Sequence, residues 1–281
     1  MAHLDVDSWP TLRDPVMVVS LTGWVDAGVA GAGSMAVLGE QLESQRVFGT
    51  IDLADLMDLQ QTRPLVELTD GVTRTIEWPT IEFVAGNAGR DVVLCRGPEP
   101  SLRWRSVLGA IVDGATRLGV TKAFTLSGLP SMVSHRRPVP IMTTATSAEL
   151  VEEIGASRND YLGPTGAQTA LQVMLGQAGI PTVALWAQVP HYVSQGASPP
   201  AIRAVLSRLR ELSGLSLDLT VLEQQTDAYV RRVEAGIAER PDVAEAIDAI
   251  ESTSDVATGF EGDLPTGDEL ASEIEKFLRG Q

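Results

Sequence analysis

Val16-Met17-Val18-Val19-Ser20-Leu21-Thr22 runs straight into Gly23-Trp24-Val25-Asp26-Ala27-Gly28, an apolar stretch ending in a turn of small residues. A short, unbroken apolar run bounded by a turn reads as a strand covered on both faces, the mark of a parallel sheet between helices. Two more turns have the same character: Gly163-Pro164-Thr165-Gly166 and Val189-Pro190-His191-Tyr192. The first and third follow strand-like runs, and the first and second open helix-like segments. In an α/β sheet the strands end along one rim, so all three turns are expected to gather there, where such folds place their ligands.

Outward from this stretch, residues 16–215 alternate short apolar runs with amphipathic segments, as a sheet with helices on both faces requires. Strands are expected at residues 16–21, 46–53, 91–95, 122–127, 141–145 and 182–187. Helices are expected at 28–42, 101–118, 148–154, 165–178 and 199–212, with Ser147 capping the third. Asp70-Gly71 interrupts the stretch 65–84 with a dipeptide suited to the positive φ angles of a hairpin. After residue 215 only helical patterns remain, at about 219–238 and 243–250. A linker-like segment (252–265) follows, and then a last helix opened by the capping box Thr266-Gly267-Asp268-Glu269. The chain therefore divides into an α/β core (1–215) and an acidic helical extension (216–281). Residues 218–281 hold 16 acids and 5 bases, which is −11 of the chain's total of −16.

So negative a chain repels phosphate backbones, and nucleic acid is not an expected partner. The apolar runs fall far short of the roughly 20 residues of a membrane span, and the first residues lack the basic and apolar regions of a secretory signal. Cys95 is the sole cysteine, which excludes an internal disulfide and fits a reducing, cytoplasmic setting. Its place in an apolar run reads as a small buried hydrophobe. The two lysines argue against Schiff-base chemistry, and the three histidines are too sparse for a His-rich metal site; neither a metal nor another cofactor is expected.

The outer spacing of Gly23 and Gly28 matches a phosphate loop, but Val29-Ala30 stands where Lys and Ser or Thr would be needed. Gly31 and Gly33 imitate a dinucleotide fingerprint, yet they lie some ten residues beyond the strand. Gly28, Gly31 and Gly33 are better read as close contacts between the first helix and its neighbours. Asp26 suits an N-cap, or a carboxylate presented to a ligand, with Trp24 beside it. Arg96 and Glu99 are expected in a loop after a strand, able to hold an anion or exchange protons. Arg136 and Arg137 suit phosphate or carboxylate. Gly163, Thr165 and Gly166 open a helix whose free amides favour an anion, with Thr165 the other candidate cap. His191 and Tyr192 end the last strand.

Taken together these turns resemble the proteasome assembly chaperone 2 family in its bacterial branch. The resemblance rests on the 23–28 turn, Arg137-Pro138, the 163–166 turn and Trp186-Ala187-Gln188-Val189-Pro190-His191-Tyr192, and spans about residues 15–225. It implies a three-layer α/β/α domain similar in fold to purine nucleoside phosphorylases, and a homo-oligomer with a trimer expected. It also implies engagement of proteasome-type subunits, since in eukaryotes the family helps assemble the proteasome α-ring. The expected function is that of a non-enzymatic interaction protein. The alternative is a binder or enzyme acting on an anionic or nucleoside-like ligand, with Asp26, Arg96, Glu99, Arg137, Thr165 and His191 lining a cleft at the rim.

Overall fold

A computed structural model describes residues 2–23, 25–156, 160–238 and 240–254. Its strands are β1 (Asp5–Val6), β2 (Val16–Thr22), β3 (Glu43–Asp52), β4 (Leu65–Thr69), β5 (Val72–Glu77), β6 (Thr80–Asn87), β7 (Asp91–Pro98), β8 (Lys122–Ser131), β9 (Ile141–Ala145) and β10 (Thr182–Pro190). Eight of them form one sheet in the order β1-β3-β6-β7-β2-β8-β10-β9, and β4 and β5 make a separate ribbon. β7, β2, β8 and β10 run parallel, so their C-terminal ends share one edge. The outer strands β6, β3, β1 and β9 are antiparallel to their neighbours.

Every residue from Val16 to Leu21 is buried, because β2 is central and covered on both faces. Val16 and Val18 enter one apolar core, while Met17, Val19 and Leu21 enter the other. The first core is completed by α1 (Ala30–Glu40) and α5 (Pro199–Ser213), and the second by α2 (Trp104–Arg117) and α4 (Ala167–Gln177). Full burial of a Val, Leu or Met side chain contributes about 1.5–3 kcal/mol, so this alternation fixes the register of β2. The result is the expected three-layer α/β/α arrangement. α3 (Ala148–Ile154) precedes α4, and the Ser147 side chain caps it by accepting from the Leu150 amide at 3.2 Å. α6 (Thr220–Ala238) buries Leu222, Tyr229 and Ile237, and α7 (Pro241–Ser254) follows it.

Among the boundaries that differ from the sequence expectation, four bear on the site. Gly28 (φ 66°) and Val29 (φ 52°) are both left-handed, so a 3₁₀ turn at Ala27–Val29 precedes α1 and the helix opens at Ala30. β7 continues to Pro98 because it pairs with β2 as far as Thr22, which places Arg96 within the strand and not in a loop. β8 runs to Ser131 because β10 pairs with it through Pro190. α4 opens at Ala167 with Gly166 at the cap position, so Thr165 is not its cap. Asp70 (φ 54°) and Gly71 (φ 74°) form the expected hairpin turn. α7 runs through Ser254; the rest of the 252–265 segment and the 266–281 helix expected from the sequence lie outside the described residues.

Candidate functional site

β2 and β8 pair from Val16 opposite Lys122 to Val19 opposite Thr125, and then their ladder stops. The interruption is filled from α4 by one side chain. Leu21 N–H donates to Gln168 Oε1 at 2.8 Å, and Gln168 Nε2 donates to Leu126 C=O at 3.1 Å. A buried amide thereby splices two strands that no longer reach one another. On the opposite face α1 comes so close that a Cβ on Gly31 would overlap Leu126 O and Ser20 Oγ. The 23–28 turn sits at this split end: Ser127 Oγ donates to Val25 C=O, and Ala27 C=O lies against Gly128 where no side chain fits.

Asp26 is held by this packing. Its two carboxylate oxygens accept from Gly31 N at 2.7 Å and Ala32 N at 3.0 Å, and the Gly128 amide is a third donor. Asp26 thus caps α1 from a distance, because Val29, at the cap position, has no polar side chain. Burial pushes the Asp26 carboxyl above 3.8, against the pull of those amides. Its ionisation therefore opposes folding: the contribution is largest below 3.8 and is lost as pH rises through the raised folded value.

Glu99 performs a similar task between three elements. Its Oε1 accepts from the Ala167 amide at 2.7 Å, and its backbone N–H donates to Thr22 C=O at 2.6 Å. A Cβ on Gly23 would lie 2.9 Å from the Glu99 Cβ, closer than side chains pack. The anion expected at the start of α4 is thus the chain's own carboxylate. Gly28 joins the third turn: its N–H donates to Ser194 C=O and its C=O accepts from Ser198 N, both at 2.8 Å. Backbone contacts and Glu99 thus tie together the ends of β2 and β7 and the start of α4, and join the 23–28 turn to the segment after β10.

The segment after β8 is closed by α6 and α7. His135 Nδ1 lies 2.8 Å from Tyr192 Oη and its Nε2 lies 3.1 Å from Glu234 Oε1 of α6. The His135 backbone N–H donates to the same tyrosine oxygen at 3.0 Å. Arg136 reaches Glu234 at 2.7 Å, Asp248 at 2.9 Å and Glu251 at 3.4 Å, and Arg137 reaches Glu251 at 3.8 Å. The carboxylates these arginines recognise therefore belong to α6 and α7. Burial pushes the His135 imidazole below 6.5 despite Glu234, while hydrogen bonding to Arg136 holds Glu234 below 4.5. Both shifts give the same sign: the stability they contribute is fully present above about pH 6.5 and is lost as pH falls, first as the buried His135 takes a charge and then as Glu234 loses its own. Arg136→Ala is expected to accelerate amide exchange in α7 several-fold, and 0.5 M salt to do the same to the unaltered chain, since partly exposed ion pairs are screened. Unchanged exchange in both cases would show that apolar contacts alone hold α7.

The other candidates are dispersed. Arg96 pairs with Glu82 at 3.0 Å and lines a cavity of about 510 Å³ between α1 and the root of the β4–β5 ribbon, with Ser20, Thr22, Met35 and Trp78. None of the remaining candidates lines that cavity. Gly163 and Thr165 are exposed; the Tyr161 ring folds over Gly163, and its hydroxyl donates to Pro164 C=O at 2.8 Å. His191 is exposed, with its ring edge-on to Tyr192 at 5.3 Å. Trp24 lies outside the described residues. Among the described residues no three His, Cys, Asp or Glu side chains gather as a metal site would require, and no helix is long and apolar enough to cross a membrane. Cys95 is buried, and burial drives its thiol pKa upward.

Gln168 and the His135–Tyr192–Glu234 chain were not picked out from the sequence. Gln168 does carry a signal, as an amide on the helix side that presents Ala167, Leu171 and Leu175 to the core. Glu234 carries none, since nothing in its helix distinguishes it from the neighbouring acids. Four exposed apolar side chains also stand in the segments following the rim ends of β7 and β8 and preceding α4: Leu102, Met132, Tyr161 and Leu162, the last fully exposed.

Comparison with known proteins agrees with this architecture. No curated protein matches the chain. Among solved structures, a PAC2 family protein from Streptomyces avermitilis is 38% identical, covers 83% of this chain and 100% of its own, and superposes with a TM-score of 0.77. A Mycobacterium tuberculosis proteasome-assembly chaperone homologue is 34% identical over 83% of this chain and 99% of its own, with a TM-score of 0.76. A second M. tuberculosis protein, of unknown function, is 26% identical over 90% and 89% of the two chains, with a TM-score of 0.82. The PAC2 family model matches residues 20–236, from the split strand β2 to the helix that closes over His135. With that span matched, the chain belongs to the PAC2 family.

Proposed function

We propose that this chain is a cytoplasmic, non-enzymatic interaction protein that assembles with itself, with a trimer the expected form, and acts as a chaperone toward proteasome-type subunits. The observation that carries the reading is how the rim spends its polar groups. Asp26, Glu99, His135 and Arg136 are engaged by the chain's own amides, hydroxyls and carboxylates. The large apolar or aromatic side chains that stand out in the segments after β7 and β8 and before α4 are Leu102, Met132, Tyr161 and Leu162. An enzyme's cleft converges polar groups on a dry cavity, whereas a protein-binding surface presents apolar and aromatic anchors. The name of the M. tuberculosis homologue supports the choice of partner.

The test is capture of purified proteasome α-type subunits by the full chain at low salt. Retention is expected, with Met132→Asp and Leu162→Asp each weakening it at least tenfold while thermal stability is unchanged, since both side chains are exposed. No retention, or retention indifferent to both substitutions, overturns the reading. So does a saturable thermal shift with nucleosides, nucleotides or carboxylates, which would favour the small-molecule alternative.

A further inference from the structure

The β4–β5 ribbon is the part of the molecule that the fold does not explain. All eleven of its strand residues are exposed, on both faces. Leu65, Val66, Leu68, Val72, Ile76 and the adjoining Trp78 stand between 44% (Trp78) and 68% (Leu65) open to solvent. A two-stranded ribbon with no cover is marginal in water, and its two outer edges offer unpaired N–H and C=O groups. Neither strand carries a proline or lysine; the edge is marked only by Glu67, Arg74, Glu77 and a register shift at Glu67–Leu68. The ribbon's root borders the cavity lined by Met35 and Ala36 of α1, so its apolar surface continues onto the body of the molecule.

We propose that this ribbon is an assembly arm whose occupant is a second copy of the same chain. Three observations select that occupant. The six side chains leave on the order of 600 Å² uncovered, most of the roughly 800 Å² that each partner brings to a standard interface. Over residues 63–77 two arginines (Arg63, Arg74) face three acids (Glu67, Asp70, Glu77), so the arm is nearly neutral in a chain of charge −16. Copies that repel one another elsewhere can meet there, whereas a basic partner would be drawn to other surfaces. Finally, the ribbon has two different outer edges, so the β4 edge of one copy can meet the β5 edge of the next head to tail, as a closed ring of identical copies needs.

The inference rests on the self-assembly part of the reading above and adds the surface that makes it. It is tested on the full chain by sedimentation, with Leu68→Asp/Ile76→Asp as the variant, and by hydrogen exchange of residues 63–78 at high and low concentration. Both substituted side chains are exposed, so circular dichroism should not change, and the melting temperature should match that of the unaltered chain at concentrations where the latter is dissociated. The expected result is an oligomer whose ribbon amides exchange at least tenfold more slowly at high concentration. The double variant should sediment as a monomer at concentrations where the unaltered chain is assembled. An oligomer that survives the double substitution with its ribbon unprotected overturns the arm and leaves self-assembly standing. A chain that is monomeric at every concentration overturns both.

Discussion

Gln168→Leu is expected to lower the melting temperature by about 5–15 °C, although leucine is of similar size and the site is buried. The amide is the splice between β2 and β8, satisfying the Leu21 N–H and the Leu126 C=O where the strands have parted. Removing it leaves two buried backbone groups without partners, at about 1–3 kcal/mol each. Gln168→Glu sharpens the test. At neutral pH it keeps the acceptor but loses the donor and buries a charge, so it should be at least as damaging. Once protonated, a carboxyl again offers one donor and one acceptor, and its deficit relative to the unaltered chain should shrink on acidification. Gln172→Leu is the control, because its amide only reaches Thr144 Oγ1 at 3.3 Å and its loss should cost less than about 1 kcal/mol. If Gln168→Leu melts within 1 °C of the unaltered chain, the two strands do not depend on the splice.

What the sequence conveyed about the fold follows from how local each signal is. β2 is apolar at five of its first six positions because both faces are covered, and Asp70-Gly71 needs nothing beyond its own φ angles to announce a hairpin. Gly31 and Gly33 were legible by elimination: no strand ends beside them, so their smallness had to serve packing, and they do meet Leu126 and Ile202. The strand ends were less legible, because where β7 and β8 stop is decided by pairing with β2 and β10, which local composition does not carry.

The rim groups show the same limit more sharply. Arg96 and Glu99 are three residues apart in sequence, yet Arg96 turns to Glu82 on the neighbouring strand while Glu99 caps α4. Arginines at 136 and 137 suggested phosphate or carboxylate, and the groups they meet are the chain's own carboxylates about a hundred residues away, in α6 and α7. Charge type is written locally; charge partners are set by topology.

The second large effect expected is at Gly128. A Cβ there would collide with Ala27 C=O, and backbone cannot swing aside as a long side chain can. Gly128→Ala should therefore push the 23–28 turn away from β8, draw the Gly128 amide off Asp26, and destabilise the chain by about 3 kcal/mol. Gly31→Ala should behave alike, since its Cβ meets Leu126 O. Gly33→Ala meets only the tip of Ile202, a flexible end that can yield, and alanine's better helix propensity offsets the crowding, for a net change near zero. Gly109→Ala, in α2 with nothing nearby, should stabilise by about 0.5–1 kcal/mol. Urea unfolding of the four variants makes their rank the measurement. Gly31 and Gly109 both sit inside helices and differ in what their Cβ would touch, so a Gly31→Ala chain as stable as Gly109→Ala would mean that α1 does not lie on the split sheet as closely as described.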